Sequence, residues 1–150
     1  SVFFTKSNFY KVLENVPNGS DVILVIGEID CREGILVSVE RCKYDSVEEA
    51  ADALLDIYIP IIQDLKKKHN WNIYLHPIVP VLNETRTTVK NFNRVLRQRS
   101  KEETSFRLLD FEQDLLTPDG IELLPKYNLD RTHLHPSYLE HAERCLNTFQ

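Results

Sequence analysis

Methionine is absent from all 150 residues, glycine occurs only 4 times, tryptophan once and cysteine 3 times. Without an initiator Met, Ser1 reads as a processing scar, and the gene is expected to begin upstream of this chain. No run approaches the roughly 18 apolar residues that a membrane span requires. The opening Ser1-Val2-Phe3-Phe4-Thr5-Lys6 lacks the basic n-region and apolar core of a signal peptide. Cys31, Cys42 and Cys145 form no C-x-x-C pair and no even-numbered framework, which points to reduced, buried thiols in a cytoplasmic protein.

What is present fits one globular domain over residues 1–150: 42% hydrophobic and 27% charged residues, with a net charge of -5. The acidic balance argues against nucleic acid and anionic membranes as partners. Arg86, Lys90, Arg94 and Arg97 make a basic stripe at helical spacing. Phe92 alone stands near it, where a phosphate-tracking surface would interleave aromatics, so the stripe reads as a solvated helix face.

Helical and strand patterns alternate along the chain. Ser7 to Val16 reads as a short amphipathic helix capped by Ser7, with Phe9, Val12, Leu13 and Val16 on one side. Val22 to Ile26 is a continuous branched apolar run, the pattern of a buried parallel strand. A polar loop follows from Gly27 to Gly34. Ser46-Val47-Glu48-Glu49 starts a long helix whose stripe is Val47, Ala51, Leu54, Tyr58, Ile61 and Leu65, with Pro60 expected to kink or split it. Trp71 to Leu75 is a second strand, about 84–98 a helix, Ser105 to Phe111 a third strand, and Pro136 opens a last helix. Strands separated by helices predict an α/β domain with a parallel sheet.

In such sheets ligands bind beyond the carboxyl ends of the strands, and three loops qualify. They are Gly27 to Arg32, His76 to Arg86, and Asp130 to Pro136. Asp130 and His133 are spaced so that one turn brings a carboxylate to the imidazole, fixing its tautomer for general-base work. By chance alone composition gives about 0.3 such pairs, so an Asp capping a turn beside a surface His stays open. A metal cluster of Asp130, His133, His135 and His141 is a more distant alternative, because no further ligand joins at a recognisable spacing. Gly27 ends a strand where the missing Cβ permits a sharp turn and the close approach of a ligand. Asp30 would then point over the sheet edge, or Arg32 simply pairs with Glu28 or Glu33.

In this order the three loops resemble the SGNH (GDSL-type) hydrolase superfamily of esterases, lipases and acetyl transferases. Val22 to Arg32 (V-I-L-V-I-G-E-I-D-C-R) looks like a variant of its oxyanion-hole motif. Asp130 to Tyr138 (D-R-T-H-L-H-P-S-Y) is similar to its catalytic D-x-x-H segment, and His76 to Arg86 with Asn91-Phe92-Asn93 resembles its central loop and helix. The similarity spans about 20–147.

The resemblance implies a flavodoxin-like three-layer α/β/α domain, apparently lacking its first strand, that hydrolyses or transfers acyl esters without a cofactor or metal. His133 would be the general base, Asp130 its orienter, and Gly27, Glu28, Asp30 and Arg32 the oxyanion-hole and substrate loop. The substrate would be a small-molecule ester. Two departures stand out: no G-D-S nucleophile motif occurs, and Asp30 replaces the oxyanion-hole Asn with a group that accepts but cannot donate when ionised. The expectation is therefore the C-terminal two-thirds of a larger SGNH protein, with a non-catalytic binding or assembly module as the alternative. Val22 to Ile26 should form an exposed edge that pairs with a second copy or with a missing N-terminal segment.

Overall fold

The computed structural model describes residues 2–41 and 43–150, with side chains from residue 8 onwards; Ser1 and Cys42 lie outside the described residues. Among the described residues it is a mixed α/β arrangement of five α-helices and a three-stranded parallel sheet. In chain order the main elements are α1 (Val2–Leu13), β1 (Asp21–Val25), α2 (Ile35–Glu40), α3 (Val47–His69), β2 (Asn72–His76), α4 (Arg86–Ser100), β3 (Arg107–Leu108) and α5 (Leu139–Asn147).

The sheet order is β1-β2-β3. β1 runs beside β2 in register from Asp21↔Asn72 to Val25↔His76, and β3 adds only Tyr74↔Arg107 and Leu75↔Leu108. β2 is therefore central and β1 lies at an edge. Successive strand residues face opposite sides of a sheet. Ile73 and Leu75 enter a large core with α3 and α4, joined by Val22 and Leu24 of β1. Tyr74 enters a second core with Leu109, Phe111, Tyr127 and Ala142 of α5. Ile23 and Val25 share the side of their register partners Tyr74 and His76, yet they remain 49% and 56% exposed.

The run Val22 to Ile26 is thus better covered on one side than on the other. Its continuous apolar pattern predicts burial on both, but the Ile23–Val25 side of this edge strand is only about half covered.

The capping signal of α3 works as its sequence indicates. Ser46 Oγ accepts from the Glu49 backbone N–H at 3.1 Å, and the Glu49 carboxylate accepts from the Asp45 N–H at 2.8 Å. Asn70, in the left-handed region at φ 53°, ends the helix with its N–H on the Lys66 carbonyl. Pro60 does not split α3. It sits on an exposed side, where the carbonyl of Asp56, freed by the missing donor, can be hydrated. The buried stripe is Ala50, Ala51, Leu55, Ile59, Ile62 and Leu65, turned from the expected one, so that Leu54, Tyr58 and Ile61 lie at its margin.

Other boundaries shift as well. Ser7 lies inside α1, and of its expected apolar side only Leu13 is buried, Val12 being exposed. The expected third strand shrinks to two residues because Phe111 and the turn Glu112–Leu115 fold into the second core.

The basic stripe of α4 is engaged by protein partners while staying partly solvated, Arg94 being largely exposed. Arg86 Nε donates to the Pro80 carbonyl at 2.8 Å, Lys90 donates to the Gly120 carbonyl, and Arg94 pairs with Glu48. Arg97 holds Asp110 through two bonds of 2.7 and 2.8 Å. Arg99 extends the pattern, gripping Asp52 and Asp56 of α3.

Candidate functional site

The three loops singled out by sequence meet at the carboxyl end of the sheet. One narrow crevice there, of about 10 Å³ and so with room for a single water molecule, is lined by Glu28 and Arg32 from the first loop, Ile78, Val79 and Val81 from the second, and Thr132 from the third. The first loop is not extended. Gly27, at φ 92°, turns the chain out of β1, and the next residues wind into a helical segment with a π-helical turn at Asp30–Gly34. The Cys31 N–H donates to the Gly27 carbonyl at 2.9 Å. π-Turns widen a helix locally and re-aim its side chains.

The space above Gly27 belongs to Phe92 of α4. A Cβ at Gly27 would stand 2.9 Å from the Phe92 ring, so glycine is required for the loop to seat on the helix, not for a ligand to approach. Arg32 faces Glu28 at 3.8 Å, four residues apart on one side of the helical segment. Asp30 lies on the other side. Its carboxylate accepts a 2.6 Å hydrogen bond from the Tyr58 hydroxyl of α3. Asp30 therefore lines a separate groove with Tyr44, Leu54 and Ile57, away from Thr132.

In the third loop Asp130 does two jobs at once. Oδ1 accepts from the backbone N–H groups of Thr132 and His133 at 3.0 and 2.7 Å, the closed turn that an Asp alone would make. Oδ2 accepts from His133 Nδ1 at 2.8 Å, the contact that a catalytic orienter would make. The His133 hydrogen bond, reinforced by the two backbone donors, lowers the Asp130 carboxyl to about 2. The His133 side chain is 71% exposed, and no hydrogen bond to its Nε2 is found among the described residues.

The turn is fastened on both sides: the Leu129 N–H bonds the His133 carbonyl at 3.0 Å, and the His135 N–H bonds the Tyr127 carbonyl at 2.8 Å. Arg131 adopts φ 71°, and its N–H meets Asn128 Oδ1 at 2.7 Å. Beside Asp130 runs a groove of about 620 Å³ lined by Asn83, Arg86, Glu122, Asn128 and Arg131.

The other candidate ligands of a metal cluster are engaged elsewhere. His135 Nδ1 meets the Ser137 hydroxyl and N–H, and His141 Nε2 meets the Tyr127 hydroxyl. Among the described residues no group of three could hold a metal ion.

Beneath the crevice lies a buried polar network that joins Asn93 and Arg97, named in the sequence for other reasons, to Glu112, which was not. Asn93 of α4 grips Ile78 twice, its Oδ1 accepting from the Ile78 N–H at 2.9 Å and its Nδ2 donating to the Ile78 carbonyl at 2.8 Å. The same amide donates to Glu112 at 2.8 Å, and Arg97 reaches the other Glu112 oxygen at 3.4 Å. Burial pushes the Glu112 carboxyl up, against the opposing pull of Asn93 and Arg97. The available signal was Asn93 itself, a polar residue on the apolar side of α4 between Val89, Phe92 and Leu96.

His76, at the end of β2, is also buried. Nδ1 donates to the Pro77 carbonyl at 2.7 Å, leaving Nε2 to accept from Tyr138 at 3.2 Å, and desolvation holds the ring below its ordinary basicity.

No family model matches the chain, and neither a curated protein nor a solved structure matches it significantly.

Proposed function

We propose that this chain is part of an SGNH-type esterase or acyltransferase, of flavodoxin-like three-layer architecture, acting on a small-molecule ester. The observation that carries the reading is the His133–Asp130 pair, joined at 2.8 Å through Nδ1 with Nε2 left open, beside the crevice where the loop after β1 meets Thr132. In this reading His133 takes the proton of a serine hydroxyl and returns it to the leaving group. Asp130 holds the tautomer and stabilises the imidazolium. Backbone N–H groups at the start of the helical segment, Glu28 to Asp30, would face the developing oxyanion, each such donor being worth roughly 3–4 kcal/mol.

The serine would come from a strand pairing along the open edge of β1, supplied by an N-terminal segment or by a second copy. The exposed Ile23 and Val25 support that pairing. Cys31, buried with its thiol pushed up to about 12, and the free Cys145 fit a reducing, cytoplasmic setting. The alternative, a non-catalytic binding module, is favoured by the absence of any hydroxyl bonded to His133 Nε2 among the described residues.

The test is hydrolysis of a small acetyl ester by the full product of the gene. Turnover is expected, and His133→Ala should lower it by roughly 10³-fold or more. No turnover, or turnover indifferent to His133→Ala, would favour the binding module.

A further inference from the structure

We infer that the groove beside Asp130 binds an anionic group, a phosphate or carboxylate, and that the ester substrate carries this group. The second half of the inference rests on the ester-hydrolase reading above; the first does not. The crevice has room for one water molecule only, so the body of a substrate lies outside it. The groove, at about 620 Å³, falls within the roughly 300–1,000 Å³ of small-molecule sites. It adjoins the crevice along the chain at two points: Thr85 and Thr132 line the crevice, while their neighbours Arg86 and Arg131 line the groove.

These two arginines differ from most others in the chain. Arg32, Arg94, Arg97, Arg99 and Arg144 each face a carboxylate, but among the described residues no ion pair forms at Arg86 or Arg131. Arg86 is held by neutral acceptors instead. Nε donates to the Pro80 carbonyl at 2.8 Å, and Nη2 donates to the Val81 carbonyl at 3.1 Å and to Asn83 Oδ1 at 2.6 Å. Its guanidinium is thereby oriented without being neutralised, and Nη1 has no hydrogen-bond partner among the described residues. A planar fork fixed in advance loses little freedom when it meets an oxyanion.

Arg131 sits at φ 71°, a region that favours glycine or asparagine. The turn uses its backbone N–H, which donates to Asn128 Oδ1, while its side chain makes no hydrogen bond among the described residues. Asp130 does not cancel the pair, because both its oxygens are engaged by His133 and by two backbone N–H groups. Glu122 is left as one uncommitted carboxylate against two uncommitted guanidiniums.

The first experiment needs no turnover: NMR titration of this chain with inorganic phosphate and with acetate at low ionic strength. Saturable shifts of the Arg86 Nε–H and of the Asn128 and Arg131 amides are expected with at least one anion. Arg131→Asn, which suits the left-handed turn, should weaken binding about fivefold or more, and Glu122→Gln should tighten it about twofold by removing a like charge. Shifts that do not saturate, or binding indifferent to both substitutions, overturn the inference.

The second experiment uses the full gene product with an acetyl ester bearing a carboxylate or phosphate, and with its uncharged counterpart. A kcat/KM about tenfold higher for the charged ester is expected, with the preference falling toward one in Arg131→Asn. Turnover without preference overturns the substrate assignment. Turnover of neither ester fails the hydrolase reading and the substrate assignment with it, and the titration alone then judges the groove.

Discussion

At the scale of single residues, Asp130 shows how one side chain serves two readings of the same motif. An Asx turn needs only Oδ1, which takes two backbone N–H groups; Oδ2 is thereby aimed at the ring three residues on. The turn and the dyad are one object. The depressed carboxyl gives a direct check. Carbon-detected NMR should place the Asp130 midpoint at about 2, against an ordinary 3.8. Because the folded value lies below the unfolded one, the stability contributed by Asp130 is fully present above about pH 4 and is lost as pH falls toward 2. His133→Ala should raise the midpoint part of the way only, since the backbone donors at residues 132 and 133 remain. A midpoint unmoved by His133→Ala would show that the ring contact is not made in solution.

At the scale of elements, α4 organises the site without lining much of it. Phe92 sets the height of the Gly27 turn, and Asn93 sets the position of Ile78, so two of the three crevice walls rest on adjacent residues of one helix. Replacing Asn93 by Ala would leave both polar groups of Ile78 and one oxygen of Glu112 buried without this partner. The expected cost is about 2–4 kcal/mol in urea unfolding, with faster hydrogen exchange at the Ile78 amide. A change below about 0.5 kcal/mol would mean that water replaces the amide at no loss.

Much of this level was legible in sequence. The capping box at Ser46, the amphipathic period of α4, the helix opened by Pro136 and the spacing of Asp130 and His133 are local signals, and local physics decides them. What escaped is tertiary. Asp30 is met by Tyr58, 28 residues away, and the space above Gly27 is taken by Phe92; neither partner is visible in the local sequence. Nor does periodicity show that the stripe from Arg86 to Arg97 would find acceptors on other elements, since Glu48, Asp110 and the Gly120 carbonyl come from three separate segments.

At the scale of the whole molecule, the decisive feature is asymmetric cover of the sheet. β2 is packed on both sides, while β1 presents one open hydrogen-bonding edge and, on one side, two exposed branched residues. Edge strands that avoid association are short, charged, bulged or covered; β1 offers in-register backbone groups across five residues, with a single charge, at Asp21. The isolated chain should therefore self-associate. Size-exclusion chromatography with light scattering is expected to show a concentration-dependent shift above the monomer mass. Val25→Lys should suppress that shift by placing a charge on the edge. Because Val25 is already more than half exposed, its folding stability should change by less than about 0.5 kcal/mol. Retained association in Val25→Lys would move the contact to another surface, such as the exposed Phe9, Tyr10 and Val12 of α1. A strictly monomeric chain at high concentration would mean that the open edge is kept apart by the net charge of -5, and raising the salt concentration, which screens that repulsion, should then restore the shift.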